Sequence, residues 1–195
     1  MILEWQTLGA AAVVITALLV AALILLRLER RNPVLGSAPS SLEIDPITGL
    51  RNRSSLDSEL RRNAPRNRET AVLWLDLDYF KKINDTLGHN TGDQILKEFA
   101  DVIARQIRSS DIAARYGGDE FVIALFNGGL RGASSLASRI LDATRHHAFS
   151  AGSPTVSIGI ATGQAEASST WEGLLKSADQ AMYRAKQAGR NRVEM

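Results

Sequence analysis

The sequence predicts an α+β fold in which helices cover a largely antiparallel central sheet. Helical and strand-like patterns alternate from Asp45 onward, and the pair Gly117-Gly118 joins two apolar runs in the manner of a β-hairpin. Hairpin strands lie antiparallel, and the amphipathic helices between strands bury their apolar faces on such a sheet. An uncharged N-terminal stretch, Leu8–Leu26, adds one transmembrane helix ahead of this domain.

The composition is that of a globular protein with room for one domain and an appendage. The chain has 195 residues, of which 45% are hydrophobic and 23% are charged. It contains no cysteine, which excludes disulfides, thiolate metal sites and cysteine nucleophiles. The net charge of +2 is too small to indicate nucleic-acid binding, and we expect no nucleic-acid partner.

Hydrophobic spacing and turn residues predict the order of the elements. These are, in chain order, a helix starting at Asp45-Pro46, a buried strand over Ala71–Leu75, an amphipathic helix with apolar positions from Ile95 to Ile107, hairpin strands over Asp111–Tyr116 and Phe121–Phe126, a helix over Leu130–His147, a strand over Thr155–Ala161 and a helix over Trp171–Ala188.

The N-terminal stretch has the length and the flanks of a signal-anchor helix. Leu8–Leu26 contains 19 uncharged residues, which nearly span a hydrocarbon core of about 30 Å. Because Arg27, Arg30 and Arg31 follow it, the positive-inside rule places its C-terminal side in the cytoplasm. A buried core helix and a cleaved signal peptide are the alternatives, but no basic residue precedes the stretch. We expect a single-pass protein of the inner (cytoplasmic) membrane, in contact with its lipid.

A short linker separates this helix from the main domain. Residues 32–41 are rich in Pro, Gly and Ser, which is typical of a connecting segment. The sequence therefore predicts three parts: an anchor with its basic flank over residues 1–31, the linker, and one domain over residues 42–195.

The hairpin carries the first candidate functional residues. Gly117 and Gly118 present no side chain that could block a ligand, and Asp119 and Glu120 follow where the chain re-enters the sheet. Adjacent carboxylates in that place suit divalent metal and phosphate chemistry better than core packing.

Asp76 is the next candidate because it ends a hydrophobic strand. If that strand neighbours the hairpin, the carboxylates of Asp76 and Asp119 can converge on one divalent ion at the end of the sheet. Oxygen ligands without Cys or His favour Mg²⁺ or Mn²⁺ over zinc. Lys81, shortly afterwards, can reach a phosphate as a point charge. Taken alone, Asp76 and Asp78 could also be a helix N-cap and a loop carboxylate.

Asn84 and Asp93 together offer donors and acceptors that complement a purine edge such as that of guanine. The alternative for Asp93 is structural, since an aspartate at that position could cap the following helix.

Five ordered motifs resemble those of the diguanylate cyclase (GGDEF-domain) family, and they cover nearly everything from about residue 42 to the end. They are Asp45–Arg53, Asp76–Asp93, Arg115–Phe121, Thr155–Ala161 and Ala178–Lys186 with its extension through Gly189-Arg190-Asn191. The resemblance implies a palm-like α+β domain.

By motif position, the resemblance also implies a role for each candidate. These are metal binding by Asp76, Asp119 and the Leu77 carbonyl, assistance at the metal and the 3′-hydroxyl by Glu120, guanine recognition by Asn84 and Asp93, triphosphate binding by Lys81, Lys186 and Arg190, and close approach of the α-phosphate at Gly117 and Gly118.

The reaction implied by the resemblance condenses two GTP into cyclic di-GMP and two pyrophosphates. A metal ion assists attack of one 3′-hydroxyl on the α-phosphate of the other GTP. Since each domain would bind one GTP, the implied working unit is a homodimer, and we expect association of the membrane helices to promote it.

A second site is expected at Arg108 and Asp111, which match the R-x-x-D pattern of the family's product-inhibition site. An arginine suits phosphate and guanine edges, and Arg139 is a candidate for a further contact. The alternative is a C-terminal helix arginine beside a capping aspartate.

Two other functions remain open from the sequence. One is a catalytically silent receptor that binds cyclic di-GMP through Arg108 and Asp111. The other is a cyclase or palm-type polymerase that uses a different purine nucleotide, because two side chains do not settle base identity.

Overall fold

A computed structural model of the protein describes residues 43–63, 69–164 and 168–195. The predicted membrane helix Leu8–Leu26 and the linker over residues 32–41 lie outside these ranges. Within them, no helix combines the length and the apolar character needed to cross a membrane.

The described part of the chain forms six strands and five helices. The strands are β1 (Arg51–Asn52), β2 (Glu69–Leu77), β3 (Ile112–Gly117), β4 (Glu120–Phe126), β5 (Val156–Gln164) and β6 (Val193–Glu194). The helices are α1 (Arg53–Asn63), α2 (Phe80–Leu87), α3 (His89–Gln106), α4 (Gly129–His146) and α5 (Ser168–Gln187).

The strands form one mixed sheet in the order β1-β3-β4-β2-β5-β6. The inner pairs β3/β4, β4/β2 and β2/β5 are antiparallel, whereas β1 pairs parallel to β3 and β6 parallel to β5. The prediction of a largely antiparallel sheet is therefore wrong for the sheet as a whole. Both outer strands have two residues, too few for any hydrophobic alternation that the sequence could reveal.

Helices cover both faces of this sheet, as predicted. Strand β2 alternates, because Leu73 and Leu75 join a core cluster with Phe99 of α3, whereas Trp74 joins a second cluster with Met182 of α5. The first cluster also contains residues of α4, and the second contains residues of α1. This three-layer packing buries β2 on both sides and leaves its end, at Asp76, as the place where polar groups gather.

The helix predicted to start at Asp45 is instead a turn. The Asp45 Oδ1 accepts hydrogen bonds from the Thr48 amide at 2.9 Å and from the Thr48 hydroxyl at 2.7 Å. The Asp45 amide also donates to the Leu50 carbonyl at 2.8 Å. Since an aspartate that bonds its own turn competes with helix formation, α1 begins only at Arg53.

The other long elements are confirmed to within a few residues at their ends. Helix α2 was not predicted, because Phe80 is its one buried residue and a single buried position gives no helical spacing. Its first residue follows Tyr79, whose left-handed backbone conformation (φ 59°) turns the chain sharply out of the sheet. This turn sets the end of β2 against the start of α2.

Candidate functional site

The hairpin turn lies one residue later than the sequence predicted. Gly117 pairs with Glu120, so the two turn residues are Gly118 and Asp119, and Gly118 has the positive φ (51°) that such a turn requires. Apart from the glycine itself and its two chain neighbours, no described atom lies within 4 Å of the point where a Cβ on Gly117 or Gly118 would stand. The turn therefore presents bare backbone beside an acidic side chain.

One local and one long-range hydrogen bond hold this turn in place. The Arg115 Nε donates to the Gly118 carbonyl at 2.9 Å, and the Leu77 amide donates to the Asp119 carbonyl at 3.3 Å. Arg115 is itself held by Asp45, whose Oδ2 lies 3.2 Å from the Arg115 Nη1. No role was predicted for Arg115 by itself, because its contact with Asp45, 70 residues away, leaves no local pattern in the sequence.

The end of β2 brings three carboxylates together. Asp76 pairs with Glu120 across the β2/β4 ladder, and both carboxylates interact electrostatically with Asp119. Asp76 is 4% exposed, and its Oδ2 lies 2.6 Å from the Lys186 Nζ. The structure thus confirms that the strand ending at Asp76 neighbours the hairpin.

Negative charge is in excess within this cluster. Burial is the main cause that raises the pKa of Asp76, to about 6; the nearby Asp119 and Glu120 contribute to this rise, and Lys186 opposes it. Burial likewise raises the pKa of Glu120, with Asp179 and Asp119 adding to the effect and a hydrogen bond from Trp74 opposing it. One lysine therefore does not balance the carboxylates around it.

The available donor atoms fit a magnesium site in which the protein supplies only part of the ion's coordination shell. No three or more Asp, Glu, His or Cys side chains among the described residues are arranged to hold an ion by themselves. Asp76, Asp119 and the Leu77 carbonyl offer only oxygen. Mg²⁺ is commonly bound through one or two carboxylates, with substrate phosphates and water completing the shell. The residues present fit that pattern.

Asn84 has a different feature that is expected of a ligand-binding residue: a side-chain polar atom without a hydrogen-bond partner. Its Oδ1 is buried and has no hydrogen-bond partner among the described residues. It lies against Gly92, where an added Cβ would collide with that oxygen, so glycine makes room for the asparagine. Asp93, the next residue, is exposed on the first turns of α3. Because buried polar groups are normally paired, Asn84 is suited to meet a ligand.

The three basic candidates lie in different settings. Lys81 is exposed on α2, and Lys186 contacts Asp76 directly. The Arg190 guanidinium lies over the ring of Tyr79, 4.6 Å from its centroid. Tyr79 follows the end of β2 by two residues, so Arg190 and Lys186 both lie on the side of the molecule where the carboxylates gather.

Two further residues that were not predicted to be functional lie at or beside the site, namely Trp74 and Asp78. The Trp74 Nε1 donates to the Glu120 Oε1 at 3.4 Å. Asp78 is 3% exposed and accepts hydrogen bonds from two hydroxyls and one backbone amide. The two-residue spacing of Asp76, in β2, and Asp78, directly after β2, could have indicated that both lie on one side of the chain, but it could not show which of them is already hydrogen-bonded.

The residues proposed for a second site do converge. Arg108, Asp111 and Arg139 line one small cavity between the end of α3 and the start of α4. The Asp111 Oδ2 accepts from the Arg108 amide at 3.1 Å, and the Arg139 Nη2 donates to the Gln106 carbonyl at 2.8 Å. Arg139 therefore also caps the C-terminal end of α3.

The whole domain is similar to known proteins. The family described as diguanylate cyclase, GGDEF domain, matches residues 42–192. The chain is 43% identical over 153 residues to the diguanylate cyclase DgcS of Shewanella oneidensis, covering 75% of this chain and 50% of DgcS. It is 41% identical over 172 residues to the response regulator PleD of Caulobacter vibrioides, covering 78% of this chain and 36% of PleD. The chain thus spans half or less of these relatives.

The fold is similar to that of solved structures as well. The crystal structure of the GGDEF domain of DgcB from Caulobacter crescentus, in complex with c-di-GMP, matches with a TM-score of 0.67 at 32% sequence identity. That match covers 80% of this chain and 97% of the other.

Proposed function

The chain belongs to the GGDEF-domain family of diguanylate cyclases, and from this premise we propose that it condenses two GTP into cyclic di-GMP and two pyrophosphates. The observation that carries the proposal is the cluster of Asp76, Asp119 and Glu120 beside a turn of bare backbone. Carboxylates in excess over their lysine partner, next to open backbone, suit a metal–phosphate complex.

The proposed metal ligands are the Asp76 and Asp119 carboxylates and the Leu77 carbonyl. A Mg²⁺ or Mn²⁺ ion bound there would make the 3′-hydroxyl more acidic and offset charge on the reacting phosphate. Glu120 pairs with Asp76 in the ladder, and in this scheme it would hold the attacking hydroxyl. Its raised pKa makes it a better proton acceptor than an ordinary glutamate.

The remaining candidates would bind the substrate. The unpaired Asn84 Oδ1 can accept a hydrogen bond from a guanine, and Asp93 can accept a second. Lys81, Lys186 and Arg190 would neutralise the triphosphate and the pyrophosphate that leaves. The open space beside the Gly118 backbone would let the α-phosphate approach without a clash.

Catalysis in this scheme requires two copies of the domain. Each site would hold one GTP, so the attacking hydroxyl and the α-phosphate belong to nucleotides on different chains. We propose a homodimer in which the hairpin turns face one another. In the same scheme, the cavity of Arg108, Asp111 and Arg139 would bind cyclic di-GMP and inhibit the enzyme.

We also propose that Leu8–Leu26 anchors the chain in the inner membrane as a single span, with the catalytic domain in the cytoplasm. The length of the uncharged stretch and the arginines after it support this proposal. Full-length protein should partition with membranes and resist extraction by alkali, whereas residues 42–195 alone should not. Release of the full chain by alkali would contradict the anchor.

The test of the cyclase proposal is direct. Purified protein is incubated with GTP and Mg²⁺, and the product is identified as cyclic di-GMP by mass. Asp119→Asn should lower the rate by about 100-fold or more, the scale expected for loss of an electrostatic catalytic group. Asp101→Asn, an exposed aspartate on α3, is the matched control and should leave the rate unchanged.

The same assay separates the open alternatives. Binding of cyclic di-GMP with no turnover of GTP by a folded wild type would favour the silent receptor. A cyclic product from ATP at a rate similar to that from GTP would contradict guanine recognition by Asn84 and Asp93.

A further inference from the structure

Asp78 is a buried carboxylate that the proposed reaction leaves without a role. It is 3% exposed, and both of its oxygens are used. Its Oδ1 accepts from the Ser157 hydroxyl at 2.7 Å, while its Oδ2 accepts from the Thr155 hydroxyl at 2.6 Å and from the Asn191 amide at 3.0 Å. A carboxylate with this many donors is held by hydrogen bonds and has little capacity left for a metal ion.

The three donors come from two distant segments. Thr155 directly precedes β5 and Ser157 is its second residue, next to β2 in the sheet, whereas Asn191 lies in the turn after α5. Asp78 therefore joins that C-terminal turn to the end of β2, where Asp76 and Leu77 lie.

The turn is also held from its other side. The Arg145 Nε donates to the Asn191 Oδ1 at 3.0 Å, and the Arg145 Nη2 donates to the Asn191 carbonyl at 2.8 Å. Arg190 and Asn191 both have positive φ angles, 63° and 49°. Two consecutive non-glycine residues in that region persist only where the surroundings hold them, and here Asp78 and Arg145 do so.

This turn carries a phosphate-binding candidate. Arg190 immediately precedes Asn191, and its guanidinium lies 4.6 Å from the ring centroid of Tyr79, the residue after Asp78. The hydrogen bond from the Asn191 amide to Asp78 thus fixes the backbone next to Arg190. It holds this backbone against the segment that contains Tyr79, on whose ring the Arg190 guanidinium stacks.

We propose that Asp78 is a positioning residue that holds the Arg190–Asn191 turn against the end of β2 and so forms the subsite for the β- and γ-phosphates. Asp76 and Asp78, two residues apart, then have separate roles, one toward the metal ion and one toward the turn. This inference rests on the proposed function, in that GTP is taken as the ligand.

The experiment compares a triphosphate with a monophosphate. 3′-Deoxy-GTP keeps the three phosphates but lacks the attacking hydroxyl, and GMP keeps the base and the α-phosphate alone. Asp78→Asn should weaken binding of 3′-deoxy-GTP in Mg²⁺ by about tenfold or more, the scale of a lost hydrogen bond to a charged group. Binding of GMP should change by less than about twofold, because its contacts lie away from the turn.

Two further variants complete the test. Arg145→Gln releases the turn from the opposite side without touching a buried group, so it should give the same selective loss even if Asp78→Asn does not fold. Asp101→Asn should bind both nucleotides as the wild type does. Hydrogen exchange should become faster at the Asn191 amide in Asp78→Asn.

The outcomes separate this inference from the cyclase proposal. Equal weakening of both nucleotides, or no weakening of either in both turn variants, would overturn the role of Asp78. A wild type that binds 3′-deoxy-GTP no more tightly than GMP would overturn it too. If the wild type shows the selective binding but makes no cyclic di-GMP, only the cyclase proposal fails.

Discussion

Two acid–base pairs flank the hairpin, and they differ in how well the acid is compensated. Asp45 and Arg115 lie 3.2 Å apart, and Asp76 and Lys186 lie 2.6 Å apart. Burial raises the pKa of Asp45, but hydrogen bonds from Thr48 and the charge of Arg115 outweigh it, so the pKa lies below its usual value. The pKa of Asp76 is instead raised to about 6, by burial and by Asp119 and Glu120.

A salt bridge alone therefore does not distinguish a structural carboxylate from a functional one. The side chain of Asp45 is 16% exposed and receives hydrogen bonds from two residues, whereas that of Asp76 is 6% exposed and has further carboxylates beside it. The first pair is complete and holds the hairpin through Gly118. The second pair leaves negative charge that a cation would neutralise.

The largest effect is expected from Asp76→Asn. Activity should fall by about 100-fold or more, because a proposed metal ligand is lost. The free energy of unfolding should change by less than about 1 kcal/mol, since the substitution also relieves repulsion within a crowded cluster. Cyclase assays and urea unfolding without metal measure the two effects. A fall in the free energy of unfolding well above 1 kcal/mol would contradict the view that Asp76 serves metal binding and not stability.

Asp45→Asn should show the reverse pattern. It weakens the bonds to Arg115 and Thr48, so the free energy of unfolding should fall by about 1–2 kcal/mol. Activity per folded molecule should fall only a few-fold, because Arg115 still donates to Gly118. Urea unfolding and rate measurements at a temperature where the variant is fully folded separate these effects. A 100-fold loss of activity at unchanged stability would place Asp45 in the reacting centre.

The pH dependence of stability gives a smaller effect with a definite sign. Because the folded-state pKa of Asp45 lies below 3.8, the unfolded chain binds this proton more readily. The stabilisation by Asp45 is thus complete well above pH 3.8 and is lost as the pH falls through the lowered folded-state pKa. The stability difference between wild type and Asp45→Asn should therefore shrink from pH 6 to pH 3. A difference that grows on acidification would contradict a lowered pKa.

The smallest effect is expected from Trp74→Phe. This variant removes the 3.4 Å hydrogen bond to Glu120 but keeps an aromatic ring in the core. The pKa of Glu120 should rise further, and the rate near neutral pH should fall by a few-fold at most, because the bond is long. The acid limb of the pH–rate profile should move to higher pH. An unchanged profile would show that Trp74 does not tune Glu120.

The compensated pair also shows where sequence reasoning stops. The end of β2 at Asp76, the hairpin and the apolar stripe of α3 were predictable because each follows from local periodicity or turn chemistry. The turn at Asp45 was mistaken for a helix start, since the contacts that hold it include Arg115, far away in sequence. The outer strands β1 and β6 were missed because pairing alone, with no hydrophobic pattern, defines them.

The candidate site divides in the same way. Motif positions identified Asp76, Asp119, Glu120 and Asn84, and the structure brings the three carboxylates together. The pairing of Asp78 could not be read from the sequence, because its partners Thr155, Ser157 and Asn191 come from the far end of the chain. Which carboxylates are already satisfied is a property of the fold.

The most direct test of the central claim is Mn²⁺ binding measured by electron paramagnetic resonance in the presence of 3′-deoxy-GTP, which cannot react. The wild type and Asp45→Asn should bind the ion with similar affinity, whereas Asp76→Asn should bind it at least about tenfold more weakly. Equal Mn²⁺ affinity in the wild type and Asp76→Asn would contradict the assignment of the uncompensated cluster as the cation site.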